Sequence, residues 1–156
     1  MTRKVVLPII ILVCALTTQA QGQSTGQIGL VFKAQFIPQF GLLWHPVGDF
    51  GIRVTAYAEG NNSEVIDLDG ATRISTSLLY RFPLDEEVSP YVGIDLTFSN
   101  FEDENYLGGL FGVQYQAHSR LGIFGEFGIS VDVDDNIDIV TMFNTGAGVV
   151  FYLNRN

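Results

Sequence analysis

Tyr91-Val92-Gly93-Ile94-Asp95-Leu96-Thr97-Phe98-Ser99 alternates without a break. Successive side chains of an extended strand point to opposite faces. Val92, Ile94, Leu96 and Phe98 therefore share one face, and Tyr91, Gly93, Asp95, Thr97 and Ser99 share the other. The same pattern returns in Leu121, Ile123, Phe127, Ile129 and Val131 set against Gly122, Phe124, Glu126, Gly128 and Ser130. Read outward from these two stretches, period-2 alternation predicts strands near residues 26–35, 37–44, 50–59, 71–82, 89–99, 107–117, 120–131 and 139–153. The expected fold class is all-β: eight antiparallel strands in up-and-down order.

A soluble sheet and a membrane barrel both produce such alternation, and composition separates them. The wet face of a soluble sheet normally carries long charged side chains. Here the polar faces are filled by small residues such as Gly93, Ser75, Ser77, Gly112 and Gly128, and Lys33 is the only lysine after the leader. Small residues suit the crowded interior of a narrow barrel. Seven charges lie inside the strands, before their outer ends: Lys33, Arg53, Glu59, Arg73, Arg81, Asp95 and Glu126. Each takes the polar parity of its strand. Lysine or arginine facing lipid at mid-membrane costs about 2–4 kcal/mol, so a bilayer enforces this placement. The apolar belt would then face lipid, with Ile28, Leu42, Val54, Ile74, Ile94, Phe111, Ile123 and Val149 among its members. The expected structure is a transmembrane barrel.

The N-terminus agrees with export. Arg3 and Lys4 precede an apolar run from Val5 to Leu16, and Thr18-Gln19-Ala20 offers small residues at a cleavage point. Residues 1–20 read as a signal peptide cleaved after about Ala20, and residues 21–156 as the barrel domain. The run is too short for a membrane helix, which needs roughly 20 residues. Cys14, the only cysteine, lies inside it, so the exported chain holds no disulfide. Cleavage removes two of the eight Lys and Arg and none of the 17 Asp and Glu. Such an acidic chain would be repelled by nucleic-acid phosphate.

The connections carry a second asymmetry. Those at 45–49, 83–88 and 118–119 are compact, while 60–70 and 132–138 are longer and 100–106 is intermediate; the first, around Phe36 and Ile37, is short and breaks the trend. Outer-membrane barrels place short turns in the periplasm and long loops outside. The inferred outer loops are acidic, with Glu64, Asp67, Asp69, Glu102, Asp103 and Glu104. Trp44, Phe50, Tyr80, Phe82, Tyr91, Tyr115, Phe151 and Tyr152 gather near the inferred periplasmic rim, as one half of an aromatic girdle does.

Ser89-Pro90-Tyr91-Val92-Gly93, Gly125-Glu126-Phe127-Gly128 and the closing Gly146-Ala147-Gly148-Val149-Val150-Phe151-Tyr152-Leu153 resemble the small OmpA/OmpX-type barrels. These belong to the outer membrane protein β-barrel family of Gram-negative bacteria. The resemblance spans residues 21–156 as a pattern and contains no catalytic signature. It implies an outer-membrane location, lipid as the first partner, a monomer and no cofactor. Barrels of this kind commonly end on an aromatic residue that assists assembly. This chain continues to Leu153-Asn154-Arg155-Asn156, so its signal would sit at Phe151.

Candidate chemistry is sparse. The seven lumen charges read as an ion-pair plug, with a conducting pore as the sharper alternative. Asp132, Asp134, Asp135 and Asp138 could hold a divalent cation weakly, although the glycine and distal glutamate of an EF-hand loop are absent. Surface ligands or divalent cations at the acidic loops are the other expected partners. His118-Ser119 is the only His/Ser neighbour pair; the two are expected to diverge at a strand end, which is poor geometry for a base and its nucleophile. His45, beside Pro46, is expected in a turn. The expected role is non-enzymatic: envelope integrity, or surface interaction through the acidic loops. The alternatives are a soluble exported barrel enclosing an apolar ligand and a barrel enzyme that modifies lipid A.

Overall fold

The computed structural model describes residues 25–59, 71–82, 84, 87–99, 105–133 and 141–154. Eight strands follow one another: β1 (Gln27–Ala34), β2 (Gln39–Val47), β3 (Phe50–Glu59), β4 (Ala71–Arg81), β5 (Val88–Ser99), β6 (Asn105–His118), β7 (Leu121–Asp132) and β8 (Thr141–Tyr152). Each pairs antiparallel with its sequence neighbour, and β8 returns to β1 to close the barrel. Closure satisfies every strand edge, which a sheet in lipid requires. Outside register shifts between Trp44 and Val47 and between Gln116 and His118 the pairing runs on, as in Ile94 opposite Leu78 on one side and Gly109 on the other.

Alternation decides which way each residue points. Ile28, Leu42, Val54, Ile74, Ile94, Phe111, Ile123 and Val149 lie outside on eight successive strands. Ile94 keeps 56% of its surface exposed. Water-soluble monomers rarely expose contiguous apolar patches beyond a few hundred Å². The inward parity holds Val31, Leu43, Leu79, Tyr91, Phe124, Val150 and Tyr152, a buried apolar cluster inside the barrel.

Most of the aromatic rim follows this parity outward. Phe50, Tyr80 and Phe82 form a file of rings, with centroids 5.0 and 4.8 Å apart. Trp44, Tyr115 and Phe151 are also exposed. Tyr91 and Tyr152 depart from the sequence reading. Both point into the lumen, with 3% and 0% exposure, because each takes the polar parity of its strand. A phenol tolerates that position by placing its hydroxyl on a buried partner.

The rim holding the barrel's termini has tight connections. β2 runs through His45 and Pro46 to Val47, and Gly48-Asp49 alone turn the chain into β3. His45 is therefore a strand residue, buried in the lumen at 1% exposure. A register shift between Trp44 and Val47 absorbs Pro46, which lacks a ladder N–H and is tolerated at such bulges. Gly48 has φ 47°, a conformation that costs glycine little. Leu153 and Asn154 finish the β1–β8 seam. Leu153 N donates to Ile28 O at 2.8 Å, and Asn154 brackets the same strand end. Its Oδ1 accepts from Ile28 N, and its Nδ2 donates to Gly26 O, both at 2.8 Å.

Candidate functional site

Among the described residues the barrel concentrates charge in its lumen, and the odd-numbered strands build its centre. Glu126 projects inward from β7. Arg53 reaches it from β3, halfway round the barrel, donating Nη1 to Oε2 at 2.8 Å and Nη2 to Oε1 at 3.2 Å. This is a two-pronged pairing, which suits the planar guanidinium. Lys33 arrives from β1 and pairs with Oε1 of the same carboxylate. Tyr91 completes the ring from β5, its hydroxyl donating to Oε2 at 3.0 Å. The three charged side chains are each no more than 6% exposed. Taking each ion from water costs several kcal/mol, so good geometry and shared hydrogen bonds must offset it.

Glycines make room for this centre. A Cβ at Gly112 would overlap the Tyr91 ring that crosses it from the paired strand. A Cβ at Gly146 would strike the aliphatic stem of Lys33. Phe124 packs below, its ring centroid 5.7 Å from the Arg53 guanidinium carbon. A cation over an aromatic face is attracted by the ring quadrupole.

The seven predicted charges divide into groups. Lys33, Arg53 and Glu126 meet directly. Asp95 joins them through Ser77, which accepts from Arg53 Nη2 at 3.3 Å and donates to Asp95 Oδ1 at 2.5 Å. Its other oxygen accepts from Ser75 at 2.7 Å and Thr97 at 3.1 Å. Asp95 is thus held by hydroxyls where sequence parity suggested a cation. Arg73 lies apart toward the long-connection rim, its guanidinium carbon 5.6 Å from the Tyr106 ring centroid. Arg81 lies toward the other rim, lining a small void with His45 and Gln114. The side chain of Glu59 falls outside the described residues. Tyr91, Ser77, Phe124 and Tyr106 complete the site without having been singled out for it. Their inward parity was the available signal; for Tyr91 it was outweighed by proximity to the aromatic rim.

Side chains do not fill the lumen evenly. The half near the termini is closed by the apolar cluster, leaving a void of about 20 Å³, room for about one water. The other half holds a cavity of about 300 Å³. The cause is residue size: Thr55, Ser75, Thr97 and Ser130 point into that half, against Leu43, Leu79, Tyr91 and Phe124 in the closed one.

The remaining candidates lie elsewhere. Ser119 Oγ is 3.3 Å from His118 Nδ1, so this pair touches where divergence was expected. The two-residue turn Ser119-Arg120 folds the serine back. Both residues are exposed at the rim of the short turns, away from the lumen centre. His45 Nδ1 lies 3.1 Å from Phe50 O, across its own hairpin. Asp132 ends β7 opposite Tyr106, and Asp134, Asp135 and Asp138 fall outside the described residues. Among the described residues no three His, Cys, Asp or Glu side chains converge as metal ligands.

A closed antiparallel barrel of eight strands, apolar outside and charged inside, is the fold of the small outer-membrane barrels. No protein-family model matches the sequence. Solved structures do match. The N-terminal β-barrel domain of Pseudomonas aeruginosa OprF is 16% identical with a TM-score of 0.61, covering 85% of this chain and 100% of that one. The Yersinia pestis outer membrane protein Ail is 14% identical with a TM-score of 0.52, covering 82% and 99%. A de novo designed transmembrane β-barrel is 9% identical with a TM-score of 0.64, covering 85% and 100%. At these identities the common property is the fold, and a fold does not carry an activity with it.

Proposed function

We propose that this chain is a small non-enzymatic protein of the Gram-negative outer membrane. Residues 1–20 serve as its export signal, and residues 21–156 form a monomeric barrel surrounded by outer-membrane lipid. Its acidic loops face outward and act in envelope integrity or surface interaction, with divalent cations or surface ligands as partners. The lumen charges act as a structural plug. The observation that carries this reading is the exposed apolar belt to which all eight strands contribute, set against a lumen centred on Lys33, Arg53 and Glu126. In water such an exterior is a severe liability; in lipid it is the required surface. A buried cluster of three charges is also a poor lining for a soluble carrier of apolar ligands.

Cell fractionation and gel mobility test the proposal together. The protein is expected in the outer-membrane fraction, migrating faster before boiling in detergent than after. A protein recovered in the soluble periplasm with unchanged mobility would overturn it in favour of the soluble carrier.

A further inference from the structure

The cavity in the wider half of the lumen has the properties of a binding site. Among the described residues it opens at the rim of the long connections, beside Phe36 and Phe143, and ends blindly on the layer of Lys33, Arg53 and Asp95. Beneath that layer the apolar cluster closes the barrel. An eight-stranded barrel is narrow enough for side chains to fill throughout. The closed half is filled in this way, whereas the open half uses hydroxyl residues that leave space. A volume of about 300 Å³ lies at the lower end of small-molecule pockets.

Its lining defines the ligand's chemistry. Among the described side chains, Lys33, Arg53 and Arg73 bring three positive charges to the cavity, and Asp95 with the underlying Glu126 brings two negative ones. These described side chains leave the pocket one net positive charge, inside a chain that is strongly acidic overall. Gln39, Thr55 and Ser75 are buried polar groups that can both donate and accept, as a ligand hydroxyl does. Thr55 already donates to Gln39 at 3.2 Å, so these groups are held in place before anything binds. Tyr106 supplies an aromatic wall backed by Arg73.

We propose that this blind vestibule binds a small hydroxylated carboxylate of the sugar-acid class. The carboxylate is seated toward Arg73 and Lys33, and the hydroxyls toward Gln39, Thr55 and Ser75. The site lies within the barrel and does not depend on the membrane reading, so the protein can be tested in detergent micelles.

Isotope-labelled protein is titrated with sodium D-glucuronate, with D-glucose and sodium chloride as controls, and amide shifts are followed by NMR. Glucuronate is expected to move amides around Thr55, Ser75 and Thr97, with glucose at least about tenfold weaker, the scale of one lost charge-assisted bond. Arg73→Gln should weaken glucuronate about tenfold. Asn144→Trp, which takes up part of the cavity without altering charge, should weaken the response at least about tenfold; Asn144 lines the cavity. Heat-dependent gel mobility reports whether each variant is folded. No glucuronate-specific shifts, equal response to glucose, or wild-type affinity in both folded variants would each overturn the proposal.

Discussion

Ile94→Arg is expected to abolish assembly into the membrane. Ile94 sits in the middle of β5, exposed on the outer face between Leu78 and Gly109. Arginine there would face lipid at a cost of about 2–4 kcal/mol near the bilayer centre. The loss of an apolar contact adds to it, and neither Leu78 nor Gly109 offers a counter-charge. Folded domains are typically stable by only 5–15 kcal/mol, so the total is a large share of the whole. The companion variant Ser75→Ala lies on the inward face. It removes one hydroxyl from Asp95, which keeps Ser77 at 2.5 Å and Thr97 at 3.1 Å. Its expected cost is about 1 kcal/mol, with assembly retained. Urea unfolding in lipid vesicles, together with the heat-dependent gel shift, measures both. Equal tolerance of the two changes would show that the faces are assigned wrongly.

Glu126→Gln is expected to be the most damaging change inside the lumen, at about 3–5 kcal/mol. Two buried cations, Lys33 and Arg53, share this one carboxylate, and Tyr91 donates to it as well. Neutralising it strands both cations away from water. Removing one cation is different in kind, because the carboxylate keeps the other. Arg53→Met and Lys33→Met should therefore each cost less than Glu126→Gln, although each deletes as many charges. Urea midpoints of the three variants decide the order. If either methionine variant proved the least stable, Glu126 would not be the shared anchor that the geometry implies.

Much of this architecture is written in residue parity. A one-residue slip would turn Ile94 inward and Asp95 toward lipid, so a strand buried on one side admits a single register. That is why the strands and the inward set of charges are legible without coordinates. Partner choice is not, because parity gives the face and leaves the height and azimuth undetermined. Arg53 and Glu126 are 73 residues apart and meet only because β3 and β7 lie on opposite sides of a closed barrel. Asp95 went to serine and threonine hydroxyls for the same reason: Ser75 and Ser77 lie beside it on the adjacent strand, nearer than any arginine. Tyr91 and Tyr152 look like girdle residues by aromatic identity, and parity, which turns both inward, is the stronger signal. His45 reads as a turn residue because Pro46 beside it is a strand breaker, and a bulge that accommodates proline leaves little trace in composition. The cavity was equally hidden. Small residues on a polar face fit a crowded lumen and a hollow one alike, and only the packing distinguishes them.

Trp44 gives the most direct test of the central claim, that the apolar faces turn outward to lipid. It is the only tryptophan in the chain, and it lies on the outer face with 47% of its surface exposed. The unmodified barrel is reconstituted into vesicles whose acyl chains carry bromine at carbons 6 and 7. Strong quenching of its fluorescence by these lipids, with little quenching by aqueous iodide, is the predicted result. Quenching by iodide with no response to brominated lipid would contradict the account, since Trp44 would then face water.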